Sequence, residues 1–318
     1  MIPIELDVRN LKVSFSTPQG NFSAVNGVSF QLHRGETLAL VGESGCGKTV
    51  SALSILQLLP KLAVNNISGE IIYSGKNLLS LDTKQMRKIR GKEISMIFQD
   101  PSSSINPRRT IGEVLSEPFA IHGFKENVSE SIIELLNQVG LSPNHANRYP
   151  HEMSGGQLQR VGIARAIALN PSLVVADEPV SALDVSVQAQ VVNLMIDLKE
   201  KLRISYLFIS HDMGVVKYFC DRVAVMYLGK IVEIASSEEI YKRPCHPYTE
   251  ALLNAVPGLE LGKTKQKLKV LGDTPDPSTL SHGCSFYSRC PIKEKQCKEM
   301  EPTLKEITSG HYVACFLK

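Results

Sequence analysis

The chain has 318 residues, 43% hydrophobic and 21% charged, a globular balance that excludes intrinsic disorder. Thirty-five Lys and Arg against 32 Asp and Glu leave a net charge of +3, too small a surplus to make nucleic acid the main partner. Purely apolar stretches reach about five or six residues, far below the roughly 20 that span a bilayer, and the start MIPIELDVRN carries early acids and no apolar core. The expectation is a soluble chain that stays in the cytoplasm.

In chain order, residues 36–41 (ETLALV) predict a strand that ends in a glycine-rich loop from Gly42. Residues 50–59 then predict a helix, with Leu53, Leu56 and Leu59 on one face. EISMIF at 93–98 predicts a strand. A helix from Ser129 is signalled by Ile132, Leu135, Leu136 and Val139, with Gly140 as its stop. Another runs from Gly155 to Leu169 and ends at Asn170-Pro171. Leu173 to Ala176 has the continuous apolar character of a buried parallel strand. Asp184 is placed to cap a helix whose apolar face is Val187, Val191, Leu194, Met195, Leu198 and Leu202. SYLFI at 205–209 is one more strand, and RVAVMYLGKIVEIA predicts a hairpin turning at Gly229-Lys230. The Pro-, Gly- and Lys-rich stretch 256–283 reads as a linker, and Lys263, Lys265, Lys267 and Lys269 within it as a solvated edge. Strands alternating with helices predict a layered α/β core.

Three sequence patterns carry chemistry. The first is Gly42-Glu43-Ser44-Gly45-Cys46-Gly47-Lys48-Thr49, which fits G-x-x-x-x-G-K-[ST]. Its glycines let successive N–H groups point at phosphates, Lys48 would reach the β- and γ-phosphates, and the Thr49 hydroxyl would hold Mg²⁺. The helix that begins there, through Val50, turns its positive end to the same anion. Cys46 sits where no particular side chain is needed. The second pattern is the apolar run 173–176 delivering Asp177 and Glu178 at its C-terminal end, where open α/β sheets bind ligands. Asp177 would hold Mg²⁺, and Glu178 would orient and deprotonate the attacking water. The third is Ser154-Gly155-Gly156-Gln157 opening a helix, a second phosphate cap. One nucleotide has no room for two caps from one chain, so this cap is expected to close on a nucleotide held by another protomer.

The phosphate loop, Gln99, Ser154-Gly155-Gly156-Gln157, Asp177-Glu178, Ser181-Ala182-Leu183-Asp184 and His211 follow the order and approximate spacing of ABC transporter nucleotide-binding domains, which residues 5–250 resemble. Within that family, Phe98 to Pro107, His246-Pro247-Tyr248-Thr249 and the end of the chain from Gly283-Cys284 to Cys315 resemble ATP-binding subunits of dipeptide and oligopeptide importers. The resemblance implies an ABC-type P-loop NTPase core, a mixed sheet with flanking helices, over residues 1–255. It also implies a helical subdomain at about 100–165 and a small Cys-rich extension over 256–318. It implies that Phe15 stacks on adenine, with Phe22 as the alternative. Gln99 would touch Mg²⁺ or the attacking water, His211 would contact the γ-phosphate and hold Glu178, and Asp184 would lie at the dimer interface beside the in-trans cap. Met153 stands where many members carry Leu, a swap without expected consequence. With Lys48, Asp177, Glu178 and His211 all kept, the chain is expected to hydrolyse ATP.

Cys284, Cys290, Cys297 and Cys315 are spaced C-x5-C-x6-C-x17-C. Clustered thiols in a reducing compartment bind metal more often than they form disulfides. Structural zinc favours close C-x2–4-C pairs, which this spacing lacks, while four thiolates suit a [4Fe–4S] cluster; the resemblance favours the cluster, with zinc as the alternative. The extension is expected to be structural or redox-sensing and to take no part in hydrolysis. Cys220 and Cys245 are read as packing residues.

The expected function is ATP hydrolysis energising a di- or oligopeptide importer at the cytoplasmic face of the membrane. Import of nickel or another small solute is the alternative. The expected partners are a second ABC ATPase subunit (distinct or identical), two transmembrane permease subunits and, indirectly, an extracytoplasmic solute-binding protein. A soluble ABC ATPase of DNA repair or translation is disfavoured, since neither a second cassette nor a coiled-coil insertion is present. A nitrogenase-like reductase is disfavoured by the Ser154-Gly155-Gly156-Gln157 element.

Overall fold

Continuous apolar runs and alternating ones sort the strands of this chain into two kinds. The computed structural model describes residues 2–17, 20–60, 62–256 and 283–318; the linker between its end residues Val256 and Gly283, with its lysines, lies outside the described residues. Strands β1 (Ile4–Thr17), β2 (Gly20–His33) and β3 (Thr37–Val41) lead into helix α1 (Lys48–Ile55). Next come β4 (Val64–Tyr73), β5 (Lys76–Asn77), α2 (Thr83–Ile89) and β6 (Ile94–Ile97). Helices α3 (Pro101–Ser104), α4 (Ile111–Ile121), α5 (Val128–Gln138) and α6 (Gly155–Ile167) separate β6 from β7 (Leu173–Asp177). Then follow α7 (Val185–Leu202), β8 (Ser205–Ser210), α8 (Met213–Phe219), β9 (Arg222–Tyr227) and β10 (Lys230–Ser236). The chain closes with α9 (Ser237–Lys242), α10 (Pro247–Asn254), α11 (Lys295–Glu299), β11 (Lys305–Thr308) and β12 (His311–Val313).

The residues group into two units. One holds the chain to Glu5, Leu32–Glu36 and Ser80–Ile209; the other holds Leu6–Gln31, Thr37–Leu79 and Ser210–Lys318. In the first, β6, β7 and β8 run parallel, with Ile94 opposite Leu173 and Asp177 opposite Ile209. Every residue of β7 and β8 is buried, as both-sided cover of a parallel sheet requires. Helix α5 stops where Gly140, at φ +70°, lets Leu141 N–H reach back to Leu136 O at 2.8 Å. Arg160 Nη1 takes up the Val139 carbonyl at 2.7 Å, and Arg165 binds both the carbonyl and the hydroxyl of Ser104 at 2.7 and 2.9 Å. Helices α5 and α3 are thereby fastened to α6.

In the second unit, β3 lies parallel to β9, while β9, β10, β12 and β11 run antiparallel in that order. The expected hairpin forms: Lys230 faces Tyr227, and Leu228 and Gly229 take φ +43° and +81°, the double positive φ of a tight two-residue turn. A separate sheet of order β2-β1-β4-β5 was not expected from the sequence. Its β1 pairs with β4 in a register that shifts between Arg9 and Lys12 and again between Ser14 and Phe15, so the apolar alternation breaks twice. At the first shift Gly69 is required, because a Cβ there would stand 2.5 Å from Asn10 O. The last strands of the Cys-rich segment join the same sheet as β9 and β10, so that segment is integrated rather than appended.

Candidate nucleotide-binding and cysteine-rich sites

The phosphate loop connects β3 to α1 in the second unit, and its shape is imposed by backbone crowding. A Cβ on Gly42 would stand 2.1 Å from Met226 O, and one on Gly47 2.3 Å from Ala24 O; their φ angles are +154° and +100°. Only glycine serves at either place. Gly229 N–H donates to Cys46 O at 2.9 Å, so the hairpin turn braces the loop. Lys48 is buried and donates from Nζ to Gly42 O at 2.8 Å and Glu43 O at 2.9 Å. Ser44, Gly45 and Thr49 are exposed, and Val50 is half-buried. Neither a side-chain cap nor an acidic residue occupies the first turn of α1, which leaves its positive end to an anion. The Cys46 side chain, to which the sequence assigns no particular role, is buried within the loop. It is 3% exposed, within 3.7 Å of Lys48 Nζ, and burial pushes the thiol pKa up.

The acidic pair and its neighbours lie in the first unit. Asp177 ends β7 and is buried; Glu178 follows it, half-buried, at φ +45°. Glu178 N–H donates to Ile209 O at 3.0 Å, which holds this uncommon backbone in place. Exposed Gln99 donates from Nε2 to Glu178 Oε2 at 3.0 Å, so the structure brings together two residues that sequence order keeps apart. Ser154 caps α6 through a reciprocal pair: Gln157 N–H to Ser154 Oγ at 3.3 Å, and Ser154 N–H to Gln157 Oε1 at 3.0 Å. A Cβ on Gly156 would meet Val187 Cγ1 at 2.6 Å. Asp184 departs from its expected capping role. It occupies the N-cap position of α7, yet its exposed side chain makes no bond to the first turn; only its backbone carbonyl does, accepting from Val187 and Gln188 N–H at 2.9 and 2.8 Å.

Returning to the second unit, His211 is exposed between β8 and α8. Phe15 and Phe22 are both half-buried on β1 and β2.

Among the four clustered cysteines, Cys290 and Cys297 are buried and Cys284 and Cys315 half-buried, all as free thiols. Cys284 N–H donates to Cys297 O at 2.8 Å, and a Cβ on Gly283 would lie 2.5 Å from that same carbonyl. Burial, then the charge of the other three thiols, pushes the Cys284 pKa up to about 11. Among the described residues the possible metal ligands whose atoms all lie within 4.8 Å of one another are Glu233, Cys245 and His311, and no three of the clustered thiols form such a group. As a donor type, thiolate is one that both iron–sulfur clusters and zinc accept.

Sequence reasoning missed three residues that organise this unit. Tyr248 Oη accepts from Glu43 N–H at 2.8 Å, and Arg289 binds the Glu43 carboxylate through both Nη atoms at 2.8 and 2.9 Å. Glu233, fully buried, accepts from Cys245 N–H, His246 N–H and His311 Nε2, each at 2.8 Å. Cys245 Sγ also lies near this carboxylate, with each ligand atom of the Glu233, Cys245 and His311 group within 4.8 Å of the others. Tyr248 and Arg289 are signalled only within short motifs of resemblance and Glu233 not at all, because contacts spanning 12 to 246 positions leave no periodicity.

Among the described residues no helix is long and apolar enough to cross a membrane. The family model for ABC transporters matches residues 25–181, and that for the oligopeptide/dipeptide transporter C-terminal region matches residues 232–297. The chain is 47% identical to the oligopeptide transport ATP-binding protein AppF of Bacillus subtilis, covering 98% of this chain and 97% of that one. It is 46% identical to the oligopeptide transport ATP-binding protein OppF of Salmonella typhimurium, covering 99% and 93%. Among solved structures, the dimeric post-hydrolysis state of the ATP-binding cassette MJ0796 bound to ADP and Pi matches with a TM-score of 0.66 at 26% identity, covering 73% of this chain and 98% of that one. A mixed sheet with flanking helices, a glycine-imposed phosphate loop and full-length relatives together place the chain in the ABC transporter family, among the ATP-binding proteins of oligopeptide and dipeptide transporters.

Proposed function

We propose that this chain hydrolyses ATP to energise import of di- or oligopeptides across the cell membrane. Near-complete alignment with oligopeptide transport ATP-binding proteins favours peptides over nickel or another small solute. The single structural observation carrying the catalytic assignment is the Gln99–Glu178 hydrogen bond of 3.0 Å. It sets the carboxylate beside an amide that can bind the attacking water. Glu178 is the general base, and Gln99 positions the water. Lys48 and the N–H groups from Gly42 through Val50 hold phosphates, Phe15 stacks on adenine, and His211 contacts the γ-phosphate. Thr49, Asp177 and Gln99 offer the hard oxygen donors that Mg²⁺ prefers; the ion neutralises charge developing on the phosphates.

Ser154 to Gln157 with Asp184 contact the nucleotide of a second ABC ATPase subunit, a related distinct chain or a second copy. In this reading residues 1–255 form the nucleotide-binding part and 256–318 the extension, and the chain works at the cytoplasmic face against two permease subunits fed by a solute-binding protein. Cys284, Cys290, Cys297 and Cys315 would hold a [4Fe–4S] cluster, which would supply a covalent cross-link and a redox-active centre, with zinc as the alternative. Co-purification from membranes tests the assembly. Peptide-permease subunits and a second ATPase should come with the chain in stoichiometric amounts, and recovery of a nickel permease instead would reassign the solute.

A further inference from the structure

Glu43, the second residue of the phosphate loop, is held at three points. Its N–H donates to Tyr248 Oη at 2.8 Å, its carbonyl accepts from Lys48 Nζ at 2.9 Å, and its carboxylate receives the two-pronged bond from Arg289 at 2.8 and 2.9 Å. Arg289 directly precedes Cys290, and its side chain is 10% exposed. Its guanidinium lies 5.7 Å from the Tyr227 ring centre and 5.9 Å from that of Phe286. Phe286 in turn packs on Tyr227, Tyr248 and His246, with ring centres 5.2, 5.6 and 5.5 Å away. The short stretch between Cys284 and Cys290 is thus anchored on β9 and α10 and reaches the nucleotide loop with a cation.

The need for that cation follows from charge. A carboxylate in a loop that cradles a triphosphate repels the ligand, and partial burial strengthens the repulsion. When Lys48 turns to the phosphates it gives up the Glu43 carbonyl, which still accepts from Cys46 N–H at 3.3 Å, while Tyr248 and Arg289 keep hold of the N–H and the carboxylate. We propose that Arg289 is a positioning residue for ATP: by neutralising and fixing Glu43 it makes the affinity of the phosphate loop depend on the ordering of the cysteine-rich segment. The coupling is reciprocal, so bound ATP also stabilises that segment. The segment therefore acts on nucleotide binding, although it contributes none of the hydrolytic residues.

The test is equilibrium binding of a fluorescent ATP analogue with Mg²⁺ to the full-length chain and its variants, with steady-state hydrolysis on the same samples. Wild-type binding checks that this loop takes ATP, on which the inference rests; only differences among variants check the inference. Arg289→Ala should weaken binding about tenfold, the order of a lost charge-assisted bidentate pair plus an exposed like charge. KM for ATP should rise accordingly, with kcat changed less than about threefold, since Gln99 and Glu178 are untouched. Adding Glu43→Gln to Arg289→Ala should recover most of the lost affinity, which a merely unfolded segment would not allow. Arg289→Lys keeps the cation and the stem packing, so it folds even if the alanine variant does not. It should bind about threefold more weakly than wild type, because a point charge cannot reproduce the fork. Wild-type affinity in Arg289→Ala or Arg289→Lys, no recovery with Glu43→Gln, or a fall in kcat at constant KM would each overturn the proposal.

Discussion

Gln99 Nε2 and Glu178 Oε2 stand 3.0 Å apart across 79 positions of sequence. The bond holds one carboxylate oxygen of the residue proposed as the general base. Glu178→Gln should keep MgATP binding while phosphate release falls about 10²–10⁴-fold, the usual worth of general-base catalysis. Phosphate release at more than a tenth of the wild-type rate would remove Glu178 from that role.

Gly47 sits at φ +100° with its missing Cβ only 2.3 Å from Ala24 O, so Gly47→Ala must push β2 and the loop apart. Strained backbone of this kind costs of order 1–3 kcal/mol, and the displaced cradle should lose most ATP affinity. Thermal unfolding should shift down by several degrees, and nucleotide should no longer raise the midpoint. A variant still stabilised by ATP would show that the loop tolerates this side chain.

Ser154 and Lys48 are expected to serve different nucleotides. Mixing a Ser154→Arg chain with a Lys48→Ala chain concentrates both lesions in one composite site and leaves the other intact when two copies pair. ATPase activity should therefore recover above that of either variant alone. No recovery in a chain shown by light scattering to pair with itself would count against a shared site.

The cysteine-rich segment should make anaerobically purified protein brown, with broad absorption near about 400 nm from sulfide-to-iron charge transfer and with bound iron and sulfide. Cys290→Ser should bleach it. A colourless protein with one zinc would keep the site and change the metal, and absence of both metals would remove the site.

His246 gives a pH dependence with a defined sign. Burial, only partly offset by Glu233, lowers its pKa to about 4, below the ordinary 6.5. The unfolded chain therefore binds a proton that the folded chain refuses. Stability from this group is complete above pH 6.5 and drains as pH falls toward 4, by at most about 1.4 kcal/mol per pH unit. Protonation also removes the Nδ1 acceptor that holds Tyr248 N–H at 3.1 Å. Urea midpoints measured from pH 7 to 4 should fall more steeply for wild type than for His246→Gln; parallel slopes would show that the ring titrates normally.

Local chemistry made the nucleotide elements legible. Gly42 to Thr49, Asp177-Glu178 and Ser154 to Gln157 each work through a glycine conformation, a strand end or a helix cap that neighbouring residues set by themselves. The same holds for the continuous apolar runs of β3, β7 and β8, and for the β9–β10 hairpin, whose turn the structure places at Leu228-Gly229, one residue before the expected Gly229-Lys230. The β2-β1-β4-β5 sheet was hidden because register shifts after Arg9 and Ser14 break its alternation. The caging of Glu43 by Tyr248 and Arg289, and of the Glu233 carboxylate by His246 and His311, was hidden for a different reason. Each joins a side chain to a backbone or side-chain group that only the folded sheet and ring packing bring within 3 Å, and one-dimensional spacing carries no record of that approach. The sequence thus determined which residues can meet a phosphate; tertiary packing decided which of them the cysteine-rich segment holds in place, because a buried charge must find its counter-charge wherever the fold supplies one.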